Sequence, residues 1–98
     1  MKAPNFKLIS TSKKIIELNK VKSHFVLIYF YPKDATSGCT IETNDFNKLF
    51  NKFQKYDCKI FGISKDTLES HLNWSKKLKL KFELLSDEKK IALKSYKV

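Results

Sequence analysis

The sequence predicts an α/β domain with a mainly parallel sheet, on two observations. Three apolar stretches short enough for strands, HFVLIYFY (24–31), CKIFGIS (58–64) and FELL (82–85), alternate with longer segments whose apolar residues recur at helical spacing. Helix-length connections between strands imply right-handed crossovers and parallel neighbours. The chain is also short: 98 residues with 42% hydrophobic content, two glycines, two prolines and no Pro/Gly/Ser-rich linker or repeat. That is enough for a single domain over 1–98, with a small core.

Two short β-like pieces, around Phe6–Ile9 and Ile15–Leu18, flank the polar run Ser10–Lys14 and read as an N-terminal hairpin. The continuous run 24–31 reads as a strand covered on both faces, the centre of the sheet. Beyond the loop 32–38, Phe46, Leu49, Phe50 and Phe53 follow the i, i+3, i+4, i+7 pattern of a helix from about Cys39 to about Tyr56. Cys58–Ser64 is the next strand. A helix then opens near Asp66 or Thr67, with Leu68, His71, Leu72, Ser75 and Leu78 on one face. A strand at 82–85 and a helix from about Asp87 to Tyr96 complete the chain.

The formal charge is +10, yet all 20 cations are lysines. Without arginine there is no bidentate guanine readout and no planar phosphate fork, and the lysines are scattered. A solvated basic surface follows rather than a specific nucleic-acid site. The longest apolar run is too short to span a bilayer and MKAPNFKLIS has no secretory apolar region, so a cytoplasmic protein with no membrane association is expected. In that compartment the two cysteines form no structural disulfide. His24, Cys39, Cys58 and His71 lack the close-paired spacings of a zinc module, and neither a metal nor a cofactor is expected.

The chemistry concentrates in YFYPKDATSGCTIE, 29–42. A thiol reacts as its thiolate. Cys39 is expected at a helix start, where unpartnered N–H groups and the macrodipole favour an anion. Pro32 fixes the backbone where the strand exits, Gly38 permits close approach, and Thr36 can aim a hydroxyl at the sulfur or at an oxygen beside it. Glu42, expected in the first helical turn, suits the dipole and can orient a cation.

This segment closely resembles the active-site segment of the peroxiredoxins: Pro32, Thr36 and Cys39 match the family's Pro-x-x-x-Thr/Ser-x-x-Cys pattern. APNFKL (3–8), FGISKDTLESH (61–71) and FELLSDEKKIALKSYKV (82–98) resemble the bacterioferritin comigratory protein (PrxQ) subfamily, so the resemblance spans nearly the whole chain. It implies a thioredoxin-like fold, three-layered, and a peroxidase acting on hydrogen peroxide and organic hydroperoxides. Cys39 is then the peroxidatic thiol, Thr36 a hydrogen-bond donor to the peroxide and Pro32 a shield for the sulfenate. Thioredoxin, glutaredoxin or a low-molecular-weight thiol is the implied reductant.

Departures from the pattern shape further expectations. Ser37 stands where the family usually has proline, and Asn44 where many subfamily members carry a resolving cysteine. Cys58, at the far end of a parallel strand about 20 Å long, is out of reach and is expected in the core. Single-cysteine chemistry with an external thiol follows. Family members continue beyond the point matching Val98, into a hairpin that pairs with the strand matching 24–31 and a last helix, a part that supplies an arginine; this chain is expected to lack them. Loss of that cation removes about 2–4 kcal/mol of transition-state stabilisation. It also leaves Phe25–Tyr31 as an open apolar edge suited to self-association. A non-catalytic thioredoxin-like remnant or interaction module is therefore the alternative reading.

Overall fold

The structure, a computed structural model, describes residues 4–97, so residues 1–3 and 98 of the expected domain lie outside the described residues. In chain order the elements are β1 (Lys7–Ser10), β2 (Ile15–Glu17), a 3-10 turn (Leu18–Lys20), β3 (Phe25–Phe30), α1 (Ser37–Lys48), α2 (Phe50–Lys55), β4 (Cys58–Ser64), α3 (Leu68–Leu78), β5 (Glu83–Ser86) and α4 (Ile91–Ser95). The five strands form one sheet in the order β2-β1-β5-β4-β3. β3, β4 and β5 run parallel, while β1 pairs antiparallel with both β2 and β5.

Each face of the sheet carries one apolar cluster. Tyr29, Tyr31, Ile60, Trp74, Phe82 and Leu84 pack with Phe46, Phe50, Phe53 and Leu78 from α1, α2 and α3. On the opposite face Phe6, Leu8, Phe61, Ile63, Leu85 and Ala92 pack with Tyr96, at the end of α4. Strand alternation explains how β3 serves both: Leu27, Tyr29 and Tyr31 face the first cluster, and Val26, Ile28 and Phe30 the second.

Three expectations are corrected. β3 is not the centre of the sheet but its last strand, the edge position that the family resemblance implied, with Phe25 57% exposed; β5 is central. A continuous apolar run reports cover on two faces and is blind to lateral position. The helix expected over 39–56 starts earlier, at Ser37, and is interrupted at Leu49, whose backbone N–H is shared between the Asp45 and Phe46 carbonyls. This tightening leaves Leu49 exposed and turns Phe46, Phe50 and Phe53 onto one cluster. The last helix is shorter than expected because Lys90 takes a left-handed conformation at φ 57°. The Asp87 carboxylate instead reaches forward to accept the N–H groups of Ile91, Ala92 and Leu93 at 2.9, 3.3 and 2.8 Å.

α3 starts as its sequence suggests, with Thr67 Oγ1 accepting the Ser70 N–H at 3.1 Å. It ends on Lys79 at φ 53°, a position that glycine usually fills.

The tightest backbone requirement lies at Gly62, which pairs with Tyr29 of β3 and Leu84 of β5. A Cβ there would meet the Tyr29 hydroxyl at 2.7 Å and Leu84 Cδ2 at 2.9 Å. The Tyr29 ring thus lies across the glycine. Gly62→Ala is expected to lower unfolding free energy by about 2 kcal/mol through overpacking, measured by urea denaturation followed by circular dichroism; an unchanged midpoint contradicts this packing.

Candidate active site

The polypeptide leaves the sheet at the C-terminal end of β3, the end at which parallel α/β sheets present their sites. The Tyr31 N–H extends the ladder to the Ile63 carbonyl at 3.1 Å before Pro32, which lacks an N–H, stops it. Pro32 is exposed. It lines a cleft of about 490 Å³ with Phe30, Tyr31, Lys65, Lys90, Leu93 and Lys94.

Thr36 is the N-cap of α1, with extended backbone at φ −76° and ψ 151°. Its carbonyl accepts both the Thr40 N–H, at 2.8 Å, and the Thr40 hydroxyl, at 2.7 Å. Its own hydroxyl leaves the helix uncapped and donates a long bond of 3.3 Å to the Lys33 carbonyl. Cys39 is the third residue of α1, ahead of the first intrahelical N–H donor, Thr40. The N–H groups of Ser37, Gly38 and Cys39 therefore remain available to an anion or an oxygen atom. The thiol is free and half-buried against the cluster containing Tyr29 and Tyr31. A Cβ on Gly38 would meet nothing within 4 Å, so this glycine lies in the helix's first turn beside open space.

Pro32, Thr36 and Cys39 thus lie on one strand–loop–helix connection. Glu42 differs from expectation: because α1 begins at Ser37, Glu42 falls in the second turn, and it is exposed. Cys58 is half-buried rather than a core residue. It opens β4 opposite Phe25, five register positions from the Phe30–Ile63 pair, so ~16 Å of strand separates it from the β3 exit.

Two polar contacts absent from the sequence reading brace this connection. Tyr29, having crossed Gly62, meets the fully buried Thr43 of α1 hydroxyl to hydroxyl at 2.9 Å. Beyond it Tyr31 donates to Asp34 Oδ1 at 2.7 Å. Asp34 Oδ2 accepts from the Ser70 hydroxyl at 2.8 Å and lies 2.7 Å from His71 Nδ1. His71 Nε2 lies 3.0 Å from the Leu85 carbonyl, and the Asp34 N–H donates to Asp66 Oδ2 at 2.8 Å. Burial raises both phenols above the ordinary tyrosine value, so they remain protonated. For Asp34, burial pushes the carboxyl up, but hydrogen bonds from His71 and Tyr31, the His71 charge and the Ser70 bond outweigh it and hold the group below its usual range.

A sequence signal for this network exists. Asp34 and Asp66 each follow a lysine just past a strand end, in YPKD and ISKD, and His71 is the ionisable residue on the apolar face of α3. Parallel strands bring those two loops together.

The profile of the AhpC/TSA family matches residues 1–98. Peroxiredoxin Q, chloroplastic, of Oryza sativa subsp. japonica is 44% identical over 86 residues, 88% of this chain and 40% of that protein. A putative peroxiredoxin bcp of Helicobacter pylori is 41% identical over 95 residues, 97% of this chain and 62% of its own length. Among solved structures, the bacterioferritin comigratory protein of Xanthomonas campestris superposes with a TM-score of 0.91 at 38% identity, covering 95% of this chain and 59% of that one. The chain thus spans less than two thirds of these relatives. The shared fold is the thioredoxin-like α/β fold of peroxiredoxins. No helix among the described residues is long and apolar enough to cross a membrane.

Because the folded-state carboxyl of Asp34 lies below its ordinary value, its ionisation stabilises the fold above the unfolded carboxylate pKa, and that contribution is lost as pH falls through the folded value. The stability gap between wild type and Asp34→Asn is expected to narrow below about pH 4, read from urea midpoints across an acid series. Parallel profiles would contradict an ionised Asp34.

Proposed function

Because the chain belongs to the AhpC/TSA family, and within it to the Bcp/PrxQ peroxiredoxins, we propose that it is a thiol peroxidase whose nucleophile is Cys39. One observation carries the reading. Cys39 lies in the first turn of α1, where the chain emerges from a parallel strand, and the motif residues Pro32 and Thr36 occupy the same connection. The Xanthomonas relative has alkyl peroxide reduction activity, which supports hydroperoxides as the substrate class.

The Cys39 thiolate attacks the terminal oxygen of the hydroperoxide. The S–O bond forms as the O–O bond breaks, the leaving oxygen departs with a proton as water or alcohol, and sulfur is oxidised by two electrons to the sulfenic acid. The free N–H groups of the first helical turn face the charge that builds on oxygen. The Thr36 hydroxyl, tied to Lys33 by only a long bond, turns to donate to the bound peroxide. Pro32 at the mouth of the loop limits water at the sulfenate. Two external thiols, from thioredoxin, glutaredoxin or a small thiol, then return Cys39 to its reduced state with release of water and formation of their disulfide. No role is assigned to Glu42, which lies away from the helix start.

The alternative, a non-catalytic thioredoxin-like module, draws on the absence of arginine from the sequence. Treatment with one equivalent of hydrogen peroxide separates the two. The peroxidase reading predicts one added oxygen on Cys39, trapped by a sulfenate reagent and abolished in Cys39→Ser, with no Cys39–Cys58 disulfide. Thr36→Val is expected to slow the step about 10²-fold. Oxidation of Cys58 ahead of Cys39, or an intact Cys39 after peroxide, favours the module.

A further inference from the structure

Asp34, Asp66 and His71 bring their ligating atoms within 4.8 Å of one another. Such a cluster invites a metal reading, but no buried side-chain nitrogen or oxygen among the described residues lacks a hydrogen-bond partner. The polar atoms already satisfy each other, which is the signature of an internal lock.

The lock is built on the two ring nitrogens of His71. The Leu85 carbonyl can only accept, so the Nε2 that faces it at 3.0 Å donates. Asp34 Oδ2, at 2.7 Å from Nδ1, belongs to an ionised carboxylate that also takes the hydroxyl protons of Ser70 and Tyr31. His71 thus bridges Asp34 and the Leu85 carbonyl through its two ring nitrogens, its side chain 0% exposed and that of Asp34 4%. A buried pair of this kind is a poor source of net stability, since desolvation offsets the attraction, but it tolerates little displacement of either partner.

What it holds is the loop to Cys39. Asp34 is tied to α3 through Ser70 and His71, to β5 through His71 and to the β4–α3 loop through its own N–H on Asp66. The next residue, Ala35, stands in the left-handed region at φ 63°. That conformation costs a non-glycine residue about 1–2 kcal/mol and persists only where the surroundings over-determine it. Thr36, the cap of α1, follows directly.

We propose that the hydrogen-bonded Asp34–His71 pair is a positioning device for the reactive loop: it pins Ala35 in its left-handed conformation and thereby sets Thr36 and Cys39 in register for attack. This rests on the assignment of Cys39 as the reacting thiol. His71 and Asp34 act through the loop and touch no reacting atom. The charged and titratable groups around the pair are Tyr31 at the end of β3, Asp66 before α3, and Lys33, Glu69 and Lys77 lining the adjoining cleft with Asp34.

The test uses the whole chain and has two readouts: amide exchange at residues 33–36 and the second-order rate of Cys39 with hydrogen peroxide. Asp34→Asn, whose amide can still hydrogen-bond Nδ1, is expected to keep the loop and hold the peroxide rate within about three-fold. Asp34→Ala is expected to speed exchange at 33–36 about ten-fold, with β4 and β5 still protected, and to slow peroxide about ten-fold or more. If Asp34→Ala fails to fold, Ser70→Ala makes the same comparison with smaller amplitude. A folded Asp34→Ala with native exchange and native peroxide rate overturns the proposal. If wild-type Cys39 reacts no faster than a free thiol, the peroxidase reading fails instead, and the exchange results still decide the pair.

Discussion

The passage of the Tyr29 ring across Gly62 is the contact on which the site depends. No other residue than glycine leaves room there, because a Cβ would sit 2.7 Å from the phenolic oxygen. Once across, the ring puts its hydroxyl on Thr43 and so ties the edge strand β3 to α1. Tyr31, two residues on and stacked on Tyr29 at a centroid distance of 5.6 Å, makes the matching tie to Asp34. Helix and loop are thus fixed from the same strand. An edge strand with neighbouring β-structure on one side only would be a soft platform without such cross-layer ties.

The second organising feature is where charge is spent. Twenty lysines and no arginine give a solvated positive surface, yet among the described residues a buried acid–histidine contact, Asp34 with His71, lies in the interior. With two glycines in the chain, left-handed backbone is carried by side-chain-bearing residues: Lys13, Ala35, Asp57, Lys79, Lys90 and Lys97. Exposed lysines absorb that strain at element ends where a compact charged tip reaches water. Ala35 has no such outlet and relies on the clamp at Asp34.

These features also mark what local sequence can convey. The hairpin, β4, α3 and the strand–loop–helix geometry at Cys39 were legible because each follows from periodicity or from a cap within a few residues. The edge position of β3 was not legible from its own residues, since Val26, Ile28 and Phe30 are as apolar as a central strand requires. The break at Leu49 depends on packing three phenylalanines against a sheet, and the early start of α1, which moves Glu42 out of the first turn, depends on Thr36 taking extended backbone. The Asp34–His71 pair spans 37 residues and two loops; only the fold brings it together. Cys58 looked like a core residue because its strand is buried, but it stands at that strand's exposed beginning.

The proposed peroxidase requires Cys39 to be activated by its place in the fold. The direct measurement is the second-order rate constant for hydrogen peroxide at each cysteine, obtained by competition against a free thiol of known reactivity, with Cys39 and Cys58 quantified separately by mass spectrometry. Cys39 is expected to react at least about 10²-fold faster than the reference thiol, and Cys58 no faster than it. Equal rates at the two cysteines, both at the free-thiol value, would contradict the account.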